Sequence, residues 1–191
     1  AMNNTGYQNL MRLSTIANLD GFYYFPRIDH DLLEKYNEGL IALSACMGGE
    51  VGNALKDDNV KKAEEIASWY KGIFGDRYYL EVQDHGHPKN PLHSIEQEEI
   101  NKKVMKLADK LDIPLVVTSD AHYLKHEDQD AHEILLCVGT GSFLADEKRM
   151  SLKDYPLHVE DPEVIIERWG DYRPDAIANT KKVADRCEVD I

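Results

Sequence analysis

The chain has 191 residues, 42% of them hydrophobic and 30% charged, enough to bury the core of one domain with at most a small appendage and too apolar for a disordered segment. Its 35 acidic and 22 basic residues give a formal net charge of -13. That excludes a module gripping duplex DNA through a basic face, and leaves room only for a local site that meets phosphate through bound cations.

In chain order, Leu10, Leu13 and Ile16 fall at helical spacing and predict a helix over 7–19. Asp29 is a good N-cap for a short helix over 30–35. Three apolar strands follow, at 39–44, 77–82 and 114–118. Between and after them lie helical patterns over 50–55, 60–74, 94–111 and about 128–138, with Gly139 available to end the last. Strands alternating with helices imply parallel pairing and an α/β layer or barrel. Three strands are too few to close a barrel, and the chain opens on a helix, so the unit reads as incomplete. Residues 157–159 form a candidate edge strand, and Asp161-Pro162 starts the first of two closing helices, 162–169 and 174–186. No repeat or linker interrupts this order.

The three cysteines, Cys46, Cys137 and Cys187, are odd in number and far apart, which speaks against a disulfide framework and suits a reducing cytoplasm. No apolar run approaches the roughly 18 residues of a membrane span, and the first residues lack the pattern of a signal peptide.

Each strand ends in a polar cluster, and in parallel α/β folds such ends share one rim where ligands bind. Asp120-Ala121-His122 is the sharpest: alternate residues leaving a strand can put a carboxylate and an imidazole on one side, a pair that suits a divalent ion. The plainer alternative has Asp120 capping a turn and His122 partly buried beside Tyr123. Cys46, between a strand and Gly48-Gly49, is either a ligand or a small buried core residue. Cys137 and Cys187 read as packing residues. Asp84, His85 and His87 can ligate metal or bind phosphate, or form a solvated loop before Pro88. His30, His93, His126, His132 and His158 lie among charged residues and carry no assignment. Gly139-Thr140-Gly141 lacks the strand and lysine of a phosphate loop.

Five ordered segments then carry a resemblance: Gly6-Tyr7-Gln8-Asn9-Leu10-Met11-Arg12-Leu13-Ser14, Gly39-Leu40-Ile41-Ala42-Leu43-Ser44-Ala45-Cys46, Tyr79-Leu80-Glu81-Val82-Gln83-Asp84-His85-Gly86, Val117-Thr118-Ser119-Asp120-Ala121-His122-Tyr123 and Asp175-Ala176-Ile177-Ala178-Asn179-Thr180. Together they resemble the polymerase-and-histidinol-phosphatase (PHP) domain of the bacterial DNA polymerase III alpha-subunit family, starting partway into the domain.

The resemblance implies a partial distorted (β/α)7 TIM-like barrel, the PHP fold. Its C-terminal portion would span 1–145, and a helical extension over 146–191 would lead toward the polymerase palm. It places Cys46, Asp120 and His122 on metal-ligand positions and leaves His85 a lesser rim candidate with no ligand role carried over. It implies zinc or manganese in the intact site, magnesium at a polymerase site outside this chain, and DNA and other replisome subunits as partners, with no membrane and a cytoplasmic location. The parent would be a DNA-directed DNA polymerase, its PHP domain a metal-dependent phosphoesterase, plausibly a 3′–5′ proofreading exonuclease. The alternative is a non-catalytic barrel that stabilises the polymerase and docks a separate proofreading subunit. The family's His-x-His and Thr-Asp-His segments, a glutamate and a further histidine fall before Gly6, so the fragment alone is expected to be inactive. Its uncovered strand, 39–44 or 114–118, is expected to leave an open edge through which the fragment self-associates, or over which helix 7–19 is displaced.

Overall fold

A computed structural model describes residues 1–90 and 94–191; His93 lies outside the described residues. The chain folds into a three-stranded parallel sheet, in the order β1-β2-β3, with helices packed around it. The strands are β1 (Ala42–Leu43), β2 (Tyr78–Gln83) and β3 (Leu115–Thr118). The helices are α1 (Asn4–Leu19), α2 (His30–Tyr36), α3 (Glu50–Lys56), α4 (Val60–Phe74), α5 (Ile95–Leu111), α6 (Gln129–Thr140), α7 (Pro162–Trp169) and α8 (Pro174–Asp185). A mixed α/β architecture with parallel pairing is what the alternating pattern predicts.

The helix starts follow capping chemistry. Asn3, Asp29, Asn59, Ser94 and Asp161 each accept a backbone N–H in the first turn of the helix that follows. Two ends differ from expectation. Helix α6 runs past Gly139 and stops at Gly141, whose φ of 66° supplies the left-handed cap. Residues 157–159 make only a single parallel bridge, His158 to Tyr123, rather than a strand.

The predicted strand 39–44 shortens to two residues because both of its flanks turn away. Gly39 has φ +71°, and a Cβ on Gly6 would lie 1.9 Å from the Gly39 carbonyl, so α1 sits directly on this turn and both positions require glycine. Beyond Leu43, Ala45 adopts φ 63°. Helix α1 buries Leu13 and Ala17 there, and Asn9 donates to the Glu38 carbonyl at 3.0 Å.

Helices α3, α4 and α5 complete one continuous core with β2 and β3, in which Leu55, Ala63, Ala67, Leu80, Val82 and Leu115 are almost wholly buried. Of the two strands expected to lie at an edge, β3 is covered by α8. Asn179 Nδ2 donates to the Leu115 carbonyl at 2.9 Å and Thr180 Oγ1 to the Val117 carbonyl at 3.2 Å, so side chains take the place of a neighbouring strand. The open edge is β1, which among the described residues pairs only with β2. Beside it lies an apolar cavity of about 430 Å³ lined in part by Leu10, Leu13, Ile28, Leu40 and Phe74.

Two predictions follow from these edges. Asn179→Ala leaves the Leu115 carbonyl buried without its donor and is expected to lower stability by about 1–3 kcal/mol in urea unfolding, more than Thr180→Val. At the β1 edge, sedimentation is expected to show concentration-dependent dimerisation that Leu43→Lys, a charge placed on the exposed strand, suppresses; a strict monomer at all concentrations refutes the open-edge reading.

Candidate active site

The C-terminal ends of β1, β2 and β3 lie side by side, as parallel pairing requires. Strand β2 is the central one, and its last turns are unusual in composition. Glu81, Gln83 and His85 are alternate polar residues on an otherwise apolar run, and alternation puts the strand pair on one face. Gln83 and His85 are buried.

These groups are joined. Thr118 Oγ1 donates to Glu81 Oε1 at 2.7 Å. Ser44 Oγ accepts the Glu81 N–H at 2.9 Å. The His85 Nε2 lies 2.9 Å from Gln83 Oε1 and 3.7 Å from Asp120 Oδ2. With a carbonyl oxygen as its nearest partner, Nε2 carries the proton. That leaves Nδ1 as a buried acceptor with no hydrogen-bond partner among the described residues. Asn101 from α5 completes the strand end, accepting from the Gln83 N–H and donating to its carbonyl.

Burial, chiefly, pushes the Glu81 carboxyl up from its ordinary range, and Asp120 adds to this, while the Thr118 hydroxyl and, more weakly, the nearby Gln83 side chain and Ala45 backbone pull it back. Burial also holds the His85 imidazole below its ordinary value, against the opposing pull of Asp120 and Asp84; the nearby His122 lowers it further.

The sequence-predicted residues are placed as follows. Asp120 sits beside His85, in a left-handed conformation with φ 51°. That turn breaks the alternation on which projecting Asp120 and His122 to one side depended. The His122 Nδ1 lies instead 2.6 Å from the Asp120 backbone carbonyl, and its exposed ring stands 5.4 Å from that of His132. Cys46 is exposed rather than a buried core residue, because Ala45 turns the chain outward; its Sγ accepts the Gly48 N–H at 3.3 Å. Cys137 is buried in α6 as expected, whereas Cys187 is exposed.

The loop after β2 is not solvated. Asp84 is buried and accepts from Trp169 Nε1 at 2.6 Å and from Arg168, so it anchors α7. His87 is buried against Trp169 and Tyr172, with Nδ1 accepting the Lys89 N–H. Both are structural. Glu81 and Gln83 were not singled out from the sequence, although their alternation within 77–83 was the available signal.

The donor chemistry of thiol, carboxylate and imidazole suits a borderline divalent cation. In number the set is partial: among the described residues, no three His, Cys, Asp or Glu side chains gather closely enough to hold a metal ion. Among the described residues no helix is long and apolar enough to cross a membrane.

Residues 1–85 match the PHP domain family. The chain is 41% identical over 192 residues to the DNA polymerase III subunit alpha of Treponema pallidum, covering 100% of this chain and 16% of that protein. It is 38% identical over 188 residues to that of Borreliella burgdorferi, covering 98% and 16%. The corresponding subunit of Thermus aquaticus is 38% identical over 192 residues, covering 98% and 15%. The chain thus spans about one-sixth of the length of these relatives.

The depressed His85 gives a prediction. A group whose folded value is lowered stabilises above its unfolded value, and that stability is lost as pH falls through the folded value. With chelator present, unfolding free energy is therefore expected to fall on acidification below about pH 6.5, the ordinary imidazole value. The raised Glu81 runs the opposite way, so the informative quantity is the difference between wild type and His85→Asn, which should shrink as pH falls. A difference independent of pH would rule out a buried neutral His85.

Proposed function

We propose, from the premise that residues 1–85 belong to the PHP domain family and that the chain is similar throughout to a stretch of DNA polymerase III alpha subunits, that it serves within a replicative DNA-directed DNA polymerase as part of a PHP barrel. DNA and the other replisome subunits are the partners this implies, and magnesium serves a polymerase site beyond these residues. Within the barrel, Cys46, Asp120 and His122 contribute part of a divalent-metal site of phosphoesterase type. The observation that carries this reading is the convergence of three parallel strand ends. Asp120 and His85 are already paired there, and two non-glycine residues, Ala45 and Asp120, hold left-handed backbone beside the predicted ligands. Strain of this kind clusters at functional sites.

Cys46, Asp120 and His122 do not gather closely enough to hold an ion by themselves, so each would supply one donor beside ligands from outside these residues; zinc or manganese, when bound there, would supply a Lewis acid and an activated water for phosphoester hydrolysis. The chain's own residues do the rest. His85, neutral and buried, presents an N–H toward Asp120 and adds no positive charge to compete with a cation. The acidic balance of the chain keeps bare phosphate away, so phosphate approaches only where a cation neutralises it. A 3′–5′ proofreading exonuclease is the activity this chemistry fits in the intact protein.

A second reading, a non-catalytic barrel that stabilises the polymerase and docks a proofreading subunit, is favoured by the partial ligand set. Cobalt(II) titration separates the two. On the metal reading, the wild-type chain takes up cobalt weakly with a thiolate charge-transfer band, which Cys46→Ser abolishes and Asp120→Asn weakens at least about tenfold. Binding indifferent to both substitutions supports the structural reading. Because a hydrolytic ion needs about three protein ligands and an open position, the chain alone is expected to cleave a primed DNA strand in manganese no faster than its Asp120→Asn variant. Manganese-dependent exonuclease activity abolished by that substitution would show that no further ligands are needed.

A further inference from the structure

The loop between α1 and α2 turns four consecutive aromatic rings outward. Phe22 is 59% exposed, Tyr23 66%, Tyr24 76% and Phe25 73%. Single exposed apolar side chains are ordinary, but a run of four on one short loop marks an interaction site. Pro26 and Ile28 line the apolar cavity beside β1, whereas none of the four rings is among its walls.

The loop is held in shape by its own bonds. The Tyr23 N–H donates to the Phe25 carbonyl at 3.2 Å, and Arg27 Nη2 donates to the Tyr23 carbonyl. The chain closes on itself at Gly21, where a Cβ would lie 2.0 Å from the Arg27 carbonyl oxygen. Between Tyr23 and Phe25, Tyr24 keeps φ 61°, uncommon for a bulky residue and retained only where the surroundings impose it.

We infer that this loop is a binding site for single-stranded nucleic acid, whose bases stack on the exposed rings while Arg27 meets a phosphate. The inference is independent of the reading of the strand ends as a metal site.

Three observations favour a nucleic-acid strand over another protein. Tyr23 and Tyr24 stand edge to face, 4.6 Å between centroids and 77° between planes, rather than stacked on each other. Splayed rings of this kind take bases one by one, and every base has a face to offer. Second, the exposed Arg27 guanidinium lies 4.9 Å over the Tyr23 ring and makes no ion pair among the described residues, so its charge stays available beside the ring. Third, the pairing of cation and ring recurs on the helices that the loop joins. Lys35 lies 5.1 Å over Tyr36, and Arg12 lines one groove with Tyr36. Interleaved cations and aromatics suit a strand with alternating phosphates and bases. A protein partner would instead look for rings seated at a pocket. Asp20 and Asp29 flank the loop, so the rings and not net charge must carry the affinity. Stacking engages base faces, and the acidic balance that excludes a duplex grip weighs less against it.

The test titrates this chain into fluorescein-labelled oligo(dT), read by anisotropy, with the same strand paired to oligo(dA) as the duplex control. Binding is expected in the micromolar-to-millimolar range, at least about tenfold tighter for the single strand than for the duplex. Replacing both Tyr24→Ala and Phe25→Ala is expected to weaken it at least about tenfold, while Tyr24→Phe, which keeps the ring, stays within about twofold. Raising salt from about 50 to about 200 mM should cost only about threefold, the dependence of one phosphate contact, and Arg27→Gln should remove it. No binding up to about 1 mM protein, equal affinity for duplex, or a loss of about a hundredfold over that salt range overturns the proposal, the last by assigning the affinity to several phosphates. NMR shift changes on adding oligo(dT) should centre on residues 22–27; changes confined to other residues also overturn it. That map decides alone if the double variant fails to fold. Sedimentation separates the protein alternative: self-association that the Tyr24→Ala, Phe25→Ala pair abolishes would assign the rings to a second copy of the chain and overturn the nucleic-acid site.

Discussion

The C-terminal end of β2 is a buried polar strand end, and much of the molecule is arranged around satisfying it. Burying amides and carboxyls without partners costs several kcal/mol each in an apolar setting. Strand β1 offers β2 only two paired residues before it turns away, so the partners must come from elsewhere. Asn101 on α5 replaces the missing ladder at Gln83, Ser44 takes the Glu81 N–H, and Thr118 takes up the Glu81 carboxyl. At the next position, Asp84 holds Trp169 and Arg168 and so pins α7 to the sheet. A helix, two neighbouring strands and the C-terminal part of the chain are thereby referenced to one short stretch of backbone.

A similar substitution of side chains for strand bonds recurs on the other side of the sheet. Asn179 and Thr180 of α8 bond outward carbonyls of β3. This gives a physical role to the segment 175–180, which from its residues alone reads only as the second closing helix. The contrast with β1 is instructive: one edge of the sheet is finished by side chains from a helix, while the other is left beside an apolar cavity. The walls of that cavity include Leu10, Leu13, Leu40 and Phe74, so a group docked there would bury apolar surface.

Periodicity and capping made the helices legible: α2 starts after Asp29 and α7 spans 162–169 as predicted, since their signals are local. What the sequence hid was decided by single backbone angles. The left-handed turn at Ala45 shortens β1 and exposes Cys46, and the one at Asp120 redirects His122 to a backbone carbonyl. No composition rule selects alanine for such a turn. His87 and Asp84 looked like loop residues because Gly86 and Pro88 flank them, yet Trp169, some eighty positions later, buries both. Glu81 and Gln83 were visible as an alternation, but inside an apolar run they resemble an ordinary solvent-facing strand side. Only the partner residues reveal that this side faces inward.

The electrostatics of the strand ends bear directly on the proposed chemistry. Glu81 and Asp120 bring two carboxyls to adjacent strand ends, and their mutual repulsion adds to the burial that raises Glu81. Without a counter-charge this arrangement is a liability, and the hydrogen bond from Thr118 offsets it only in part. A lysine or arginine nearby would relieve the repulsion permanently. The structure instead sets a buried imidazole there, held neutral by burial, with one nitrogen toward Gln83 and Asp120 and the other without a partner among the described residues. A neutral histidine leaves the negative potential standing and available to a cation from solution. In a chain of net charge -13, that potential also keeps unescorted phosphate out. The residues at the ends of β2 and β3 thus set the sign of what can approach them.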